Sequence, residues 1–147
     1  MSQELAVALS GCLADVTVMY HRTHGHHWNV VGTDFPQYHL KFEEIYTDVY
    51  ESIDPLAENI RKLGVFVPFR LKDLSAMAST PDDAVSGYHH ETLVADLVSV
   101  NAEVLRSLNV AFQIASSENQ QGIANFLADR IDSHQKWAWQ LNASQQG

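Results

Sequence analysis

The sequence predicts an all-α fold, an antiparallel four-helix bundle with a long crossover between helices 2 and 3 that carries a short helix. Three observations point there. Apolar residues recur three and four apart through four long blocks, the spacing of helices that bury one face. The segment between the second and third blocks, residues 65–87, is about 23 residues long and holds Pro68 and Pro81, too long for a tight helix hairpin. No turn-bounded alternating run competes for a strand.

The first block covers residues 4–31, with Leu5, Leu9, Cys12, Val16, Met19 and Tyr20 on one face, and Gly32 ends it. Asp34 followed by Phe35, Pro36 and Gln37 reads as an N-cap, an early-turn proline and a capping-box partner. The second block then runs through Phe35, His39, Phe42, Tyr46, Val49, Ile53, Leu56, Ile60 and Leu63 to Gly64. Pro55 falls inside it, where proline tends to kink a helix. One reading therefore lets Asp54 cap a helix restarted at Pro55. Within the crossover a short helix fits residues 71–77. The third block begins near Glu91 and runs through Leu93, Leu97, Val100, Val104, Leu108 and Phe112 to Ala115; the fourth begins near Gln120 and runs through Ile123, Leu127, Ile131, His134 and Ala138 to Leu141. Four helices with one long crossover describe the ferritin-like arrangement.

At 147 residues the chain suits one domain and can bury a core without disulfide or metal staples. Its 9 basic and 18 acidic side chains give a net charge of −9, which argues against a nucleic-acid surface, because Lys and Arg drive phosphate binding. The ends, MSQ and SQQG, are too short and uncharged to serve as interaction arms. No apolar run approaches a membrane span, and the first residues lack the basic start and apolar core of a signal peptide. A single cysteine, Cys12, fits a reducing cytosol. Histidine is the outlier: 8 in all.

Two pairs stand out as candidate metal ligands on the second helix. His39 with Glu43, and Asp54 with Glu58, are each i,i+4 and share a face; His27 precedes the first pair. Imidazole with carboxylate suits a divalent transition metal such as iron. Taken singly, such pairs are also ordinary half-buried or solvated residues. Asp54 follows His39 by 15 residues, about 22 Å along a helix, whereas metal–ligand bonds are about 2 Å. No Glu-x-x-His occurs, the spacing that bundle di-iron proteins use within one chain. A shared site would therefore need two chains, and a two-fold pairing would form two identical sites per dimer.

His27-Trp28-Asn29-Val30, Gly32, Phe35, His39, Phe42-Glu43-Glu44, Tyr46, Asp54, Ala57-Glu58 and Leu63-Gly64 together resemble the signature of the Dps proteins, the mini-ferritins. The resemblance continues through Pro68 to Lys136 and Trp139. It implies a single ferritin-like domain over residues 1–147, assembled from two-fold dimers into a hollow dodecamer in the cytoplasm. It also implies ferroxidase activity: Fe(II) oxidised by hydrogen peroxide, or by O2, at inter-subunit di-iron centres, and ferric mineral stored inside. By position, His27, His39 and Glu43 would bind metal from one subunit, and Asp54 and Glu58 from its partner, with zinc a conceivable substitute. Glu44 would help nucleate mineral; apart from the resemblance, the i,i+3,i+6 spacing of His21, His24 and His27 would allow a secondary metal position at His24.

Several features depart from the family pattern or stay outside it. Glu43 stands where the family often has Asp. Gln120 and Asn125 occupy positions where aspartates usually line an iron-entry pore, and neutral amides would focus cations less; Glu118 and Asp129 are the nearest acids. The basic tail that lets many members bind DNA is absent. His21, His24 and His27 partly share a helix face, His26 points elsewhere, and His89 and His90 read as surface or packing residues. Trp28 reads as a core aromatic, with a redox-active neighbour of the ligands as the alternative; of Trp137 and Trp139 only one should face the core. Two other functions stay open: a DNA-compacting shell, which the charge and the missing tails argue against, and a bundle that binds zinc or another divalent metal at the same ligands without turnover, which the sequence alone does not separate from a ferroxidase.

Overall fold

The structure, a computed structural model, describes residues 3–146; the readings that touch Met1, Ser2 and Gly147 at the two ends lie outside it. Four long helices and one short one follow in order: α1 Gln3–Asn29, α2 Phe35–Lys62, α3 Leu71–Met77, α4 His90–Ser117 and α5 Gln121–Ser144. No strand occurs among the described residues. Helices α1 and α2 pack together, α4 and α5 pack together, and α1 also packs against α4. The crossover carries α3 over α1, as its length and prolines lead one to expect.

The periodic apolar residues form the core. Leu5, Leu9, Cys12 and Met19 of α1 meet Phe42, Ile45, Leu56 and Ile60 of α2, with Leu93, Leu97, Val104 and Leu108 of α4 and Leu127 and Leu141 of α5. Trp137 is buried while Trp139 is exposed, the division expected of two residues two apart.

Three local expectations are corrected. The first helix stops at Asn29 rather than at residue 31, because the Val31 amide donates instead to the Tyr88 carbonyl (3.0 Å) and Val31 bridges to His89. Asp34 stands at the N-cap of α2 but makes no side-chain cap, so the capping box does not form; its carboxylate lies 3.4 Å from His90 Nε2. Helix α2 runs unbroken through Pro55, so Asp54 does not cap a restarted helix. The missing Pro55 N–H would have bonded the carbonyl of Glu51, an exposed residue, and solvent can satisfy that carbonyl at small cost.

Buried polar groups lock the helices in register. Asp15 of α1 accepts hydrogen bonds from the Ser79 amide (2.7 Å) and hydroxyl (2.8 Å), the Thr80 amide (3.1 Å) and the Ser107 hydroxyl. It thereby ties the crossover and α4 to α1. Arg22 forks onto Asp96 of α4 (2.8 and 3.0 Å) and reaches Asp82 and the Asp83 carbonyl. Arg130 of α5 forks onto Asp48 of α2 at 2.9 Å for both bonds. Bidentate pairs of this kind fix orientation as well as distance.

Candidate metal centre

His27 lies in the last turn of α1 and His39 in the second turn of α2. The intervening turn folds back through Gly32, whose φ of +121° is open to glycine and strained for other residues. The return stacks the two imidazoles with centroids 3.7 Å apart and 16° between planes. Each ring is held by the other's backbone. His27 Nδ1 donates to the His39 carbonyl at 2.7 Å, and His39 Nδ1 donates to the His27 carbonyl at 2.7 Å.

A carbonyl can only accept, so each Nδ1 carries a proton, and in the neutral ring the lone pair is left at Nε2. That is the tautomer and the anchoring that metal-binding histidines use. Phe35 stacks on the outer side of His39 at 4.8 Å, and Tyr46 meets His27 edge-on at 5.2 Å. His27 is buried, and His39 half-buried.

Glu43 is exposed one turn beyond His39. Asp54 and Glu58 are also exposed, one turn apart on α2; because that helix is continuous, they lie about 22 and 28 Å along it from His39. None of the three carboxylates has a hydrogen bond or ion pair among the described residues. The structure thus brings His27 and His39 together, keeps Asp54 with Glu58, and separates the two groups. Among the described residues, no group of three or more His, Cys, Asp or Glu gathers to hold a metal.

Glu44 pairs with Lys41 at 3.0 Å and, with Glu43, Asp48 and Glu51, lines an open hollow between α2 and α5. Asn125 lines a second hollow beside Asn119 and Gln121, whereas Gln120 stands at the N-cap of α5 without capping it.

The other histidines divide by surroundings. His26 is buried with Nε2 2.7 Å from Asp96. Burial would raise Asp96, but the bonds from His26 and Arg22 outweigh it and hold the carboxyl below its usual range. His24 stacks on Tyr46 at 4.0 Å, lies 4.3 Å from Trp28 and places Nδ1 2.9 Å from the Tyr20 hydroxyl. Burial, then His27 and His21, push its pKa down. His90 stacks flat on Tyr38 at 4.4 Å.

Trp28 is corrected from core to surface: it is 63% exposed, because its position on α1 faces away from the bundle. Sequence reasoning placed Tyr20 only on the apolar face of α1 and passed over the salt-bridge partners Asp96, Asp48 and Arg130. The i,i+4 spacing of Tyr20 and His24 could have flagged that pair; the long-range partners had no local signal.

The arrangement matches known proteins along nearly its whole length. The ferritin-like domain family model matches residues 7–146. The DNA protection during starvation protein of Brevibacillus brevis is 31% identical over 144 residues, 97% of this chain and 95% of that protein. An uncharacterised Haemophilus influenzae protein is 30% identical over 143 residues, 97% of this chain and 89% of that one. Among solved structures, Vibrio cholerae Dps superposes with a TM-score of 0.91 at 32% identity over 96% of this chain and 88% of that one. That protein is described as a member of a broad superfamily of ferritin-like diiron-carboxylate proteins. Staphylococcus aureus Dps gives 0.93 at 26% identity, over 99% and 97%.

Proposed function

Because the chain belongs to the ferritin-like family and, within it, to the Dps mini-ferritins, we propose that it is an iron-storage ferroxidase. In this reading each site takes His27, His39 and Glu43 from one subunit and Asp54 and Glu58 from a partner. Fe(II) is oxidised there by hydrogen peroxide, or by O2, and ferric mineral collects inside a cytoplasmic dodecamer. The observation that carries the reading is the reciprocal anchoring of His27 and His39, which engages Nδ1 of both stacked rings and leaves Nε2 as the nitrogen open to a metal.

The residues divide the work by their chemistry. Neutral imidazoles bind Fe(II) without adding charge, while the carboxylates bring negative charge that favours the ferric product. Reciprocal hydrogen bonds hold the rings in the binding rotamer before iron arrives, so little ordering cost remains. Glu44 and Glu51 in the α2–α5 hollow would hold hard ferric ions at the onset of mineral growth. Support for a partner at Asp54 and Glu58 comes from their surroundings. Tyr50 and Phe69 are 58% and 80% exposed and line an apolar groove with Leu13, Ile53 and Leu74. Apolar area of that kind marks a surface that is covered in an assembly.

With a net charge of −9, protection of DNA would follow from removing Fe(II) and peroxide together rather than from contact. Anaerobic loading with Fe(II), followed by measured additions of peroxide or O2, tests the activity. Stoichiometric Fe(III) formation is expected with at least one oxidant; none with either would refute the ferroxidase reading.

A further inference from the structure

Helix α2 begins at Phe35, four residues before His39, so the two side chains share one face of its first turns. Phe35 lies 4.8 Å from His39 with 25° between planes, and His27 lies 3.7 Å away at 16°. Two rings this close to a third, and this nearly parallel to it, cannot share one face. His39 is therefore the middle ring of a three-ring stack. His27 covers one face, Phe35 covers the other, and the ring edge is left for a ligand.

The two histidines are not held equally. His27 is 8% exposed, in the last turn of α1, with Tyr46 edge-on beside it. His39 is half-buried, and its ring is tied among the described residues through Nδ1 to the His27 carbonyl. That bond fixes one point of the ring, and rotation about the Cβ–Cγ bond is otherwise soft. A ring pressed between two flat neighbours cannot turn without leaving the stack. Phe35 is itself fixed where it can press. Its amide donates to the Gly32 carbonyl at 3.1 Å, and Pro36 after it restricts its backbone. Phe35 is 38% exposed and lies outside the buried core. Core burial does not account for an aromatic ring at this position; the stack does.

We propose that Phe35 is a positioning residue of the metal centre, closing the outer face of His39 and holding that imidazole in the stacked orientation before metal arrives. The proposal rests on the reading that His27 and His39 bind metal, and it names the neighbour that stiffens the weaker-held half of the pair. Phe35 touches neither metal nor oxidant in this role; it acts through His39. Without its ring, His39 is free to swing toward solvent, and binding must order the side chain again.

The test uses Co(II) as the probe, so that calorimetry reads binding without turnover, and scores the binding that His39→Ala abolishes. Phe35→Leu and Phe35→Met keep apolar bulk and remove the flat face; because Phe35 lies outside the core, both should fold. Each should bind Co(II) roughly three- to tenfold more weakly than wild type, the loss that goes with ordering one side chain. Phe35→Tyr, which keeps the ring, should restore the affinity. Crystal structures of the metal-free proteins give a second readout. Wild type and Phe35→Tyr should show one stacked His39 rotamer, and Phe35→Leu more than one. Tyr38→Leu controls for a general loosening of α2, since Tyr38 is buried and stacks on His90 rather than on His39. It should lower the melting temperature and leave Co(II) affinity intact. Unchanged affinity with a single His39 rotamer in Phe35→Leu and Phe35→Met, no rescue by Phe35→Tyr, or an equal loss in Tyr38→Leu would overturn the role of Phe35 and leave the metal reading standing. No Co(II) binding by folded wild type would overturn that reading, and this proposal with it.

Discussion

His134 is wholly buried and held neutral by its neighbours. Its Nδ1 donates to Asn101 Oδ1 at 2.7 Å, and Arg130 Nη2 approaches Nε2 at 3.3 Å. An arginine can only donate, so Nε2 must accept, and protonation would set two cations against each other. Burial and Arg130, opposed by Asp48, push the His134 pKa down from 6.5 to about 3. The unfolded chain therefore binds a proton that the folded one refuses. Stability should be full above about 6.5 and fall as pH drops toward 3, with a slope of up to about 1.4 kcal/mol per pH unit from this group. Asp48 and Asp96 act lower: burial raises both, but their Arg130, Trp137, Arg22 and His26 bonds win and depress them below 3.8. Their contributions, present above 3.8, are lost as pH falls through the depressed values. Urea unfolding between pH 7 and 4 should thus flatten in His134→Gln, even though that variant starts less stable. An unchanged slope would assign the titration elsewhere. Cys12 belongs to the same class of silent residue: burial and Asp15 push its thiol up to about 12, and it donates to the Ser107 carbonyl at 3.2 Å.

At the scale of elements, the turn between α1 and α2 does the most for the site. It closes in five residues, and Gly32 allows the closure. A Cβ at Gly32 would stand 3.3 Å from His89 Nδ1, on a backbone at φ +121°. Gly32→Ala should cost roughly 1–3 kcal/mol and loosen the His27–His39 stack, so Fe(II) affinity should fall with stability. Gly11 is the contrast: it lies inside α1 with nothing within 4 Å of a Cβ, and Gly11→Ala should stabilise by roughly 0.5–1 kcal/mol. Thermal unfolding of the two variants checks both signs. Most of this layer was legible in the sequence. The four apolar periods and the short helix at 71–77 needed only local spacing. The unmade Asp34 cap and the unbroken α2 at Pro55 did not follow, because tertiary neighbours and solvent decide them. Of the site, residue types and the His39–Asp54 gap were readable. The carbonyl of His39 that fixes the His27 tautomer was not, since a backbone acceptor leaves no mark on the side-chain pattern.

At the scale of the whole molecule, the continuity of α2 sets the stoichiometry. The continuous helix keeps His39 and Asp54 about 22 Å apart, so in the proposed reading one chain offers two half-sites and closes neither. In the proposed two-fold pair each half-site would meet its complement, and the interface would repeat it. The consequence can be measured by mixing subunits. His39→Ala damages the imidazole half of every site in its own dimers, and Glu58→Ala damages the carboxylate half. A mixed dimer concentrates both lesions in one site and leaves the other whole. Random exchange at equal amounts makes half the dimers mixed, so roughly a quarter of wild-type sites should be restored. Fe(II) oxidation should rise from the level of the parents toward that fraction as mass spectrometry records mixed dimers. Mixed dimers that form and stay as inactive as their parents would refute the shared site.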